Sequence, residues 1–275
     1  MKKNHNCFAS VIYPASFCYF SEFIDSIANQ DCESFDVLLV SDGVSREDVN
    51  KIVSTYSLSI VVVDAPSGKT PGELRTFMLK EAKKAGYEIC ISGDSDDTFS
   101  EDRVSSAIDY LKNHSELTFC YNCLQDFDGN VVIKNVPQMT ESMECILHYN
   151  YIGMSNITIN LDKISASFIE SLDEFIGDIY DWYLVNRLLL TGLKGGFVKK
   201  GYTKYRYHEG NIVGKQENRI DSIIREVQIK TTHYKLLSRY NKVYDILRKK
   251  YEEEKYIVRD NIEGYWWGQT KVEEI

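Results

Sequence analysis

No stretch of the 275 residues approaches the roughly 18 to 20 consecutive apolar residues that span a bilayer, and the opening Met1-Lys2-Lys3-Asn4-His5 lacks the apolar run of a secretory signal. The chain therefore reads as cytoplasmic. It also lacks low-complexity segments and internal repeats, which sets aside linker-like and repeat architectures. Positive charge is in short supply: 32 Lys and Arg face 41 Asp and Glu, for a net charge of −9. A general nucleic-acid binder needs a concentrated positive surface, so that class is disfavoured. The deficit is uneven, with 19 basic and 30 acidic groups in residues 1–214 against 13 and 11 in residues 215–275. The seven cysteines are odd in number and scattered, which fits reduced, mostly buried thiols better than a disulfide framework. Cys120 and Cys123 form one CxxC, but no second pair completes a four-ligand zinc site. Their place within the apolar run Leu117 to Leu124 favours structural thiols.

What is present is a chain 43% hydrophobic and 12% aromatic, long enough to bury a full core in one large domain or two small ones. The first 120 residues alternate short β-rich runs with amphipathic segments, the pattern of a parallel sheet wrapped by helices. Strands are expected at 8–13, 35–40, 59–63 and 88–92, with helices at 17–29, 45–55 and 71–85. A fifth strand is expected at 117–124, and Asp128-Gly129 between two β-like runs predicts a hairpin turn. Further on, 154–160 reads as a strand, 179–191 as a helix ended by Gly192, and 202–207 as a last strand. From Arg219 to about Tyr251, Ile220, Ile223, Ile224, Val227, Tyr234, Leu237, Tyr240, Tyr244 and Leu247 recur at helical spacing. These helices can pack on the body, pair with a second copy of the chain, or lie on a membrane. The Arg248-Lys249-Lys250 cluster and the Trp266-Trp267 pair keep the membrane option open.

In an open α/β sheet ligands bind at the carboxyl ends of strands, and Gly93-Asp94-Ser95-Asp96-Asp97 follows the fourth strand at such an end. Close carboxylates repel by about 4 kcal/mol per pair at an effective dielectric near 20. A hard divalent cation would relieve that cost, Mg²⁺ binding through one or two carboxylates plus substrate phosphates. The alternative is a solvated acidic loop capping a helix that starts near Glu101. The second strand ends in Ser41-Asp42-Gly43, where an Asp commonly hydrogen-bonds a ribose or base, although Asp-Gly is also an ordinary turn. Pro14 follows the first strand and can simply stop its ladder.

Together the order and spacing of these pieces resemble the family 2 glycosyltransferases, inverting nucleotide-sugar enzymes with the glycosyltransferase A fold. The family opening looks like Ser10-Val11-Ile12-Tyr13-Pro14-Ala15, with Asn29-Gln30 closing the helix. Val40-Ser41-Asp42-Gly43-Val44 resembles the family's Val-Asp-Asp-Gly-Ser, and Gly68 to Arg75-Thr76 its Gly-x-x-x-Ala-Arg-Asn region. Asp94 to Asp97 matches the acidic Asp-x-Asp-Asp motif directly. Tyr180-Asp181 with Arg187 fits the spacing of the Glu-Asp pair and its later Arg, and Tyr205-Arg206-Tyr207-His208 with Asn211 resembles a late Tyr-Arg-x-His. The likeness covers about residues 8 to 214. Ala15, Ser41, Thr76 and Tyr180 stand where the family has Thr, Asp, Asn and Glu.

The resemblance implies a Rossmann-like glycosyltransferase A fold, with a mixed, mostly parallel sheet flanked by helices and a C-terminal helical extension. Residues 1–214 would be the catalytic domain, with the nucleotide sugar over about 1–124 and the acceptor side over about 125–214. Residues 215–275 would be the extension. It further implies a donor, a UDP-sugar foremost, bound by Pro14, Ala15, Asp42, Gly68, Arg75, Asp94, Ser95, Asp96 and Arg206. Asp96 and Asp97, with His208, would hold Mn²⁺ or Mg²⁺ against the diphosphate. Inversion requires a base to take a proton from the acceptor hydroxyl; Asp181 is the first choice and Asp178 the second. Without the family, either Asp could merely favour the N-terminal end of its helix, and Arg75 could be a surface salt-bridge partner. Trp182 is either an acceptor-stacking ring or a buried aromatic.

The expected activity is a metal-dependent inverting transfer to a hydroxyl of a glycan or lipid-linked acceptor, in bacterial-type surface polysaccharide synthesis. A peripheral place at the inner face of the membrane, or a homodimer through the C-terminal helices, would suit it. A sugar nucleotidyltransferase would carry a Gly-rich basic loop after the first strand, where Pro14 to Phe20 has neither Gly nor a basic residue. A transferase-like scaffold without activity is the remaining alternative.

Overall fold

A computed structural model describes residues 3–207 and 219–273, so His208 and Asn211 lie outside the described residues. The first half alternates as the composition requires. Strands β1 (Asn6–Ile12), β2 (Phe35–Ser41), β3 (Ile60–Asp64) and β4 (Ile89–Ser92) are joined by helices α1 (Phe20–Ala28), α2 (Arg46–Val53) and α3 (Pro71–Lys84). There follow β5 (Thr98–Phe99), α4 (Arg103–Asn113), β6 (Phe119–Gln125), β7 (Met139–Thr140), β8 (Ile157–Asn160), α5 (Ala166–Ser171), α6 (Tyr180–Leu190) and β9 (Gly195–Lys204). The chain closes with α7 (Arg219–Leu237), α8 (Lys242–Glu252) and a two-stranded ribbon of β10 (Ile257–Val258) and β11 (Thr270–Lys271).

The main sheet runs β3-β2-β1-β4-β8-β6-β9-β5, with β7 beside β9. Its longest ladders, β1 with β2 and β6 with β9, are parallel, whereas β8 runs antiparallel between β4 and β6. All seven residues of β2 are buried, as a strand covered by helices on both faces demands. The chain steps outward from β1 to β2 and β3, then returns to the other side of β1 as β4. The carboxyl ends of β1 and β4 therefore flank the point where strand order reverses.

Asp128-Gly129 turns as expected: Asp126 Oδ1 accepts from the Asp128 and Asn130 amides, Gly129 sits at φ +86°, and Gln125 bridges to Val131. The last sheet strand differs from its expectation of 202–207. It starts at Gly195 because Gly195 and Gly196 slide under Phe119 and Tyr110, where a Cβ would stand 2.0 Å from the Phe119 ring and 2.4 Å from the Tyr110 hydroxyl. It stops at Lys204, leaving Tyr205 to Tyr207 to cross over the acidic turn.

The C-terminal helices share the core of the body. Tyr234 donates to Leu147 O, Tyr244 to Asn186 Oδ1, and Arg187 reaches the Tyr240 hydroxyl at 2.8 Å with its guanidinium 3.8 Å from that ring. The apolar periodicity read from the sequence locates the buried face of α7 at Tyr234 and Leu237 but not in its first turns. Ile220 and Ile224 are 69% and 51% exposed, while Glu226 and Lys230 are buried as an ion pair at 3.0 Å. Glu226 accepts from the Gln269 and Thr270 amides and the Thr270 hydroxyl. Lys230 donates to Thr270 O, Thr270 Oγ1 and Tyr251 Oη. Every charge is matched, which makes the burial tolerable. Lys230→Met strands the Glu226 carboxylate in the core and should lower unfolding free energy by about 3–5 kcal/mol in urea titration. Adding Glu226→Gln should recover part of that loss.

Candidate active site

Gly93 ends β4 between two rings; a Cβ there would lie 2.4 Å from Phe99 and 2.6 Å from Phe8. Only a glycine lets the chain turn so close to the sheet. The turn Asp94 to Asp97 then closes with the Asp97 amide donating to Asp94 O at 3.2 Å. Ser95 Oγ donates to Val11 O at 2.8 Å and shares a hydrogen bond with Ser16 Oγ at 2.7 Å, tying the turn to the loop after β1. Asp97 is buried. Its Oδ1 accepts from the Arg206 amide at 2.8 Å and its Oδ2 from the Ser155 hydroxyl, yet burial and the Asp96 and Asp94 charges still push its carboxyl well above the usual range.

Beside this turn opens a cavity of about 670 Å³. It is bounded by Pro14, Ala15 and Asp42 at the ends of β1 and β2, by Asp94 and Asp96, and by the N-terminal turns of two helices. Helix α3 begins there because Thr70 and Glu73 form a reciprocal capping box, with Pro71 at its first position. This start presents Lys69 and Arg75 to the cavity. Arg75 pairs with Asp94 Oδ1 at 3.1 Å, and although burial opposes its charge, the nearby Asp94 and Asp181 carboxylates hold it firmly cationic. Burial likewise raises the Asp94 carboxyl, against the attraction of Arg75.

The start of helix α6 brings Asp181 to the same cavity, and the residues just before it bring Asp178. Asp181 Oδ1 accepts from the Trp182 amide at 2.6 Å. Burial pushes the Asp181 carboxyl up to about 6; Arg75 and the Trp182 amide pull it down, and Asp94 adds a smaller upward push. A carboxyl that ionises just below neutral pH, lining a cleft, has the property a general base requires. Tyr180, where the family pattern has Glu, turns into the core. It accepts from Thr76 at 3.0 Å and packs edge-on against Phe175.

Of the site residues expected from sequence, Pro14, Ala15, Asp42, Arg75, Asp94, Asp96, Asp178 and Asp181 meet in this one cavity. Gly68, Ser95, Asp97 and Arg206 are not among its lining residues. Gly68 supplies a left-handed turn at φ +75° before α3, and Ser95 is spent on the β1 loop. Arg206 was expected at phosphate but braces the acidic turn from behind. Its Nε donates to Asp96 O at 2.7 Å, its guanidinium pairs with Glu22 at 2.6 Å, and it stacks over Tyr19 and Phe127. Trp182, weighed as an acceptor platform, is fully buried, donating to Ile146 O and stacked 3.9 Å from His233. The thiol reading of Cys120 holds: all seven cysteines are free, and burial pushes Cys120 up to about 12.

Residues 10–175 match the family model described as glycosyl transferase family 2, more than half of the chain. The chain belongs to glycosyl transferase family 2. It is thus a glycosyltransferase, and its fold agrees with solved relatives of low identity. The mannosyltransferase PcManGT from Pyrobaculum calidifontis, solved with GDP-Man and Mn²⁺, is 15% identical with a TM-score of 0.59 over 90% of this chain and 69% of its own. TarS 1-349 of S. aureus, solved with UDP-GlcNAc, is 15% identical with a TM-score of 0.54 over 97% and 99%. GalNAc-T7, solved with UDP, GalNAc and Mn²⁺, is 10% identical with a TM-score of 0.61 over 91% and 51%. No curated protein sequence matches the chain.

Several lining residues of this glycosyltransferase escaped sequence reading: Tyr13, Lys69, Ser155, Asn156, Tyr205, Trp266 and Trp267. The capping box around Lys69 was a readable signal. The Trp pair, weighed for a membrane surface, instead lines the cleft. No helix among the described residues is long and apolar enough to cross a membrane. Gly93→Ala should force Phe8 and Phe99 apart and cost about 1–3 kcal/mol, seen as a lowered thermal midpoint.

Proposed function

We propose that this glycosyltransferase moves a sugar, with inversion, from a nucleotide-sugar donor to a hydroxyl of a glycan or lipid-linked acceptor. A UDP-sugar is the leading donor, and cytoplasmic assembly of bacterial-type surface polysaccharide the setting. The observation that carries the reading is one cleft lined by Asp94, Asp96, Arg75 and Asp181, with Arg75 coupled to both Asp94 and Asp181 and the Asp181 carboxyl raised to about 6. The relatives solved with GDP-Man, UDP-GlcNAc, or UDP and Mn²⁺ support it.

The donor set fits a divalent cation in one particular way. Among the described residues no group of three or more His, Cys, Asp or Glu side chains encloses a cation. Asp96, with Asp94 beside it, offers one or two carboxylates, which suits Mg²⁺ or Mn²⁺ whose remaining ligands are water and diphosphate oxygens. Bound there, the cation supplies Lewis-acid stabilisation of charge on the departing diphosphate. Asp97 accepts from the Ser155 hydroxyl and the Arg206 amide through one lone pair of each oxygen, which leaves it able to ligate the same cation from the buried side of the turn.

The chain's own groups do the rest. Asp42 stands where a base or ribose would reach the end of β2. Asp181 Oδ1 is fixed by the Trp182 amide, leaving Oδ2 to take the acceptor proton. As that proton moves, the acceptor oxygen bonds the anomeric carbon from the face opposite the diphosphate. The bond from that carbon to the diphosphate oxygen breaks, and its electron pair stays on the diphosphate. Arg75 lies between the two reacting sides and keeps Asp181 ionised at neutral pH.

Calorimetry with UDP, GDP and CDP, with and without Mn²⁺, tests the donor reading. Metal-dependent binding lost in Asp96→Ala supports it, and no nucleotide binding at all sinks it. Turnover should fall as pH drops below about 6, when Asp181 protonates. Arg75→Met should move that limb to higher pH by removing the attraction that lowers the Asp181 carboxyl. Asp181→Asn should retain nucleotide affinity and lose transfer by several orders of magnitude; retained turnover there with loss in Asp178→Asn would move the role to Asp178. The folded carboxyl of Asp181 lies above its ordinary 3.8, so its ionisation costs stability that grows from about pH 4 to about pH 6. Asp181→Asn should therefore raise the melting temperature at pH 7.5 but not at pH 4.

A further inference from the structure

The cleft has a wall that the reaction above does not use, built by the last part of the chain. Trp266 pairs with Asn150 through two backbone hydrogen bonds of 2.9 Å, and the Asn150 side chain in turn holds Ile152. This seats Trp266 against Gly153. A Cβ on Gly153 would stand 2.8 Å from the Trp266 ring and 3.4 Å from Asp181 Oδ2, so ring and carboxylate are neighbours across that glycine. Trp267 follows at φ +60°, a left-handed conformation that costs a bulky residue on the order of 1–3 kcal/mol. In an extended chain consecutive side chains point to opposite faces. Here both indoles line the same cavity, and Trp267 is half-buried. Just beyond, the buried Glu226 and Lys230 pair clamps Gln269 and Thr270, fixing the segment to α7.

We infer that Trp267, with Trp266 beside it, is an acceptor subsite that takes the face of a saccharide ring and presents one of its hydroxyls to Asp181. The inference rests on the donor reading above and narrows its acceptor to a carbohydrate. A sugar ring carries an apolar C–H face and polar edges, which suits an aromatic plane bordered by Asp178 and Asn156. Trp266 is the part of this wall that stands next to Asp181, and Asp42, Asp94 and Asp96 line the same cavity. Glu226 and Lys230 are positioning residues for this wall.

The test uses the full chain with saturating UDP and Mn²⁺, titrated with methyl glycosides of glucose, galactose, mannose and N-acetylglucosamine and followed by calorimetry, a readout that does not depend on Trp267 itself. At least one glycoside should give a saturable response. Trp267→Gly should weaken that response tenfold or more. Glycine relieves the left-handed strain but gives up the half-buried ring's packing on the core, so thermal melting is used to confirm that the variant is folded at the titration temperature. Trp267→Phe should restore part of the response, and UDP–Mn²⁺ affinity by calorimetry should stay within twofold in both variants. An unchanged glycoside response in Trp267→Gly, or an equal response to n-octanol, overturns the subsite. Nucleotide binding with no response to any glycoside overturns this inference alone. Absence of nucleotide binding in the unaltered protein overturns the donor reading and this inference with it.

Discussion

Three carboxylates crowd the end of β4, and the surrounding structure is arranged around their mutual repulsion. Water is largely excluded at Asp97, so its charge must be met by groups the protein supplies. The Ser155 hydroxyl comes from the loop before β8, the Arg206 amide from the chain leaving β9, and the Arg75 guanidinium reaches Asp94 from α3. The β8 and β9 ladders and the packing of α3 on the core hold these donors within reach of the acidic turn. The price is a site that stays short of positive charge on its cleft side, which is the condition under which a cation and a diphosphate bind together. Under the proposed reading the net charge of −9 favours an anionic donor that arrives with a cation beside it.

The same Arg75 links the two halves of the chemistry. It sits within reach of both Asp94 and Asp181, so it balances charge on Asp94 while favouring the ionised form of Asp181, the base of the proposed reaction. Burial alone would drive Asp181 toward the protonated form, and Arg75 alone would leave it too weak a base. Their opposition leaves it ionising near 6, where it is charged at neutral pH and still basic enough to take a proton. The replacement of a family Glu by Tyr180 does not disturb this, because Tyr180 faces α3 and Phe175 and contributes packing only.

Much of this was readable in the chain itself. Five strands fall within two residues of their expected ends because Val, Ile and Phe runs bounded by Gly, Pro and Asp admit few other structures. Asp94, Asp96 and Asp42 were found because strand-end position is a local property. The surroundings of Arg206 were not legible, and Trp182 stayed open between two readings, because a side chain's partner depends on which distant segment passes over it. Arg206 meets Glu22 and the acidic turn, and Trp182 meets His233. The apolar stripe of α7 misled for a related reason. A buried Glu226 and Lys230 pair looks like surface charge until the segment around Thr270 supplies its partners.

The sequence by itself determined the alternation of strands and helices, the family, and the set of carboxylates at the strand ends, all of which follow from near neighbours and fixed spacing. Only the tertiary structure decided which carboxylate faces the cleft and which is turned behind it. It also decided that Asp181 ionises near 6, that Trp266 reaches back to stand beside Asp181 and that Trp267 lines the same cavity. Burial, charge coupling and aromatic contact act through space over separations of up to a hundred residues or more, and no local pattern records them.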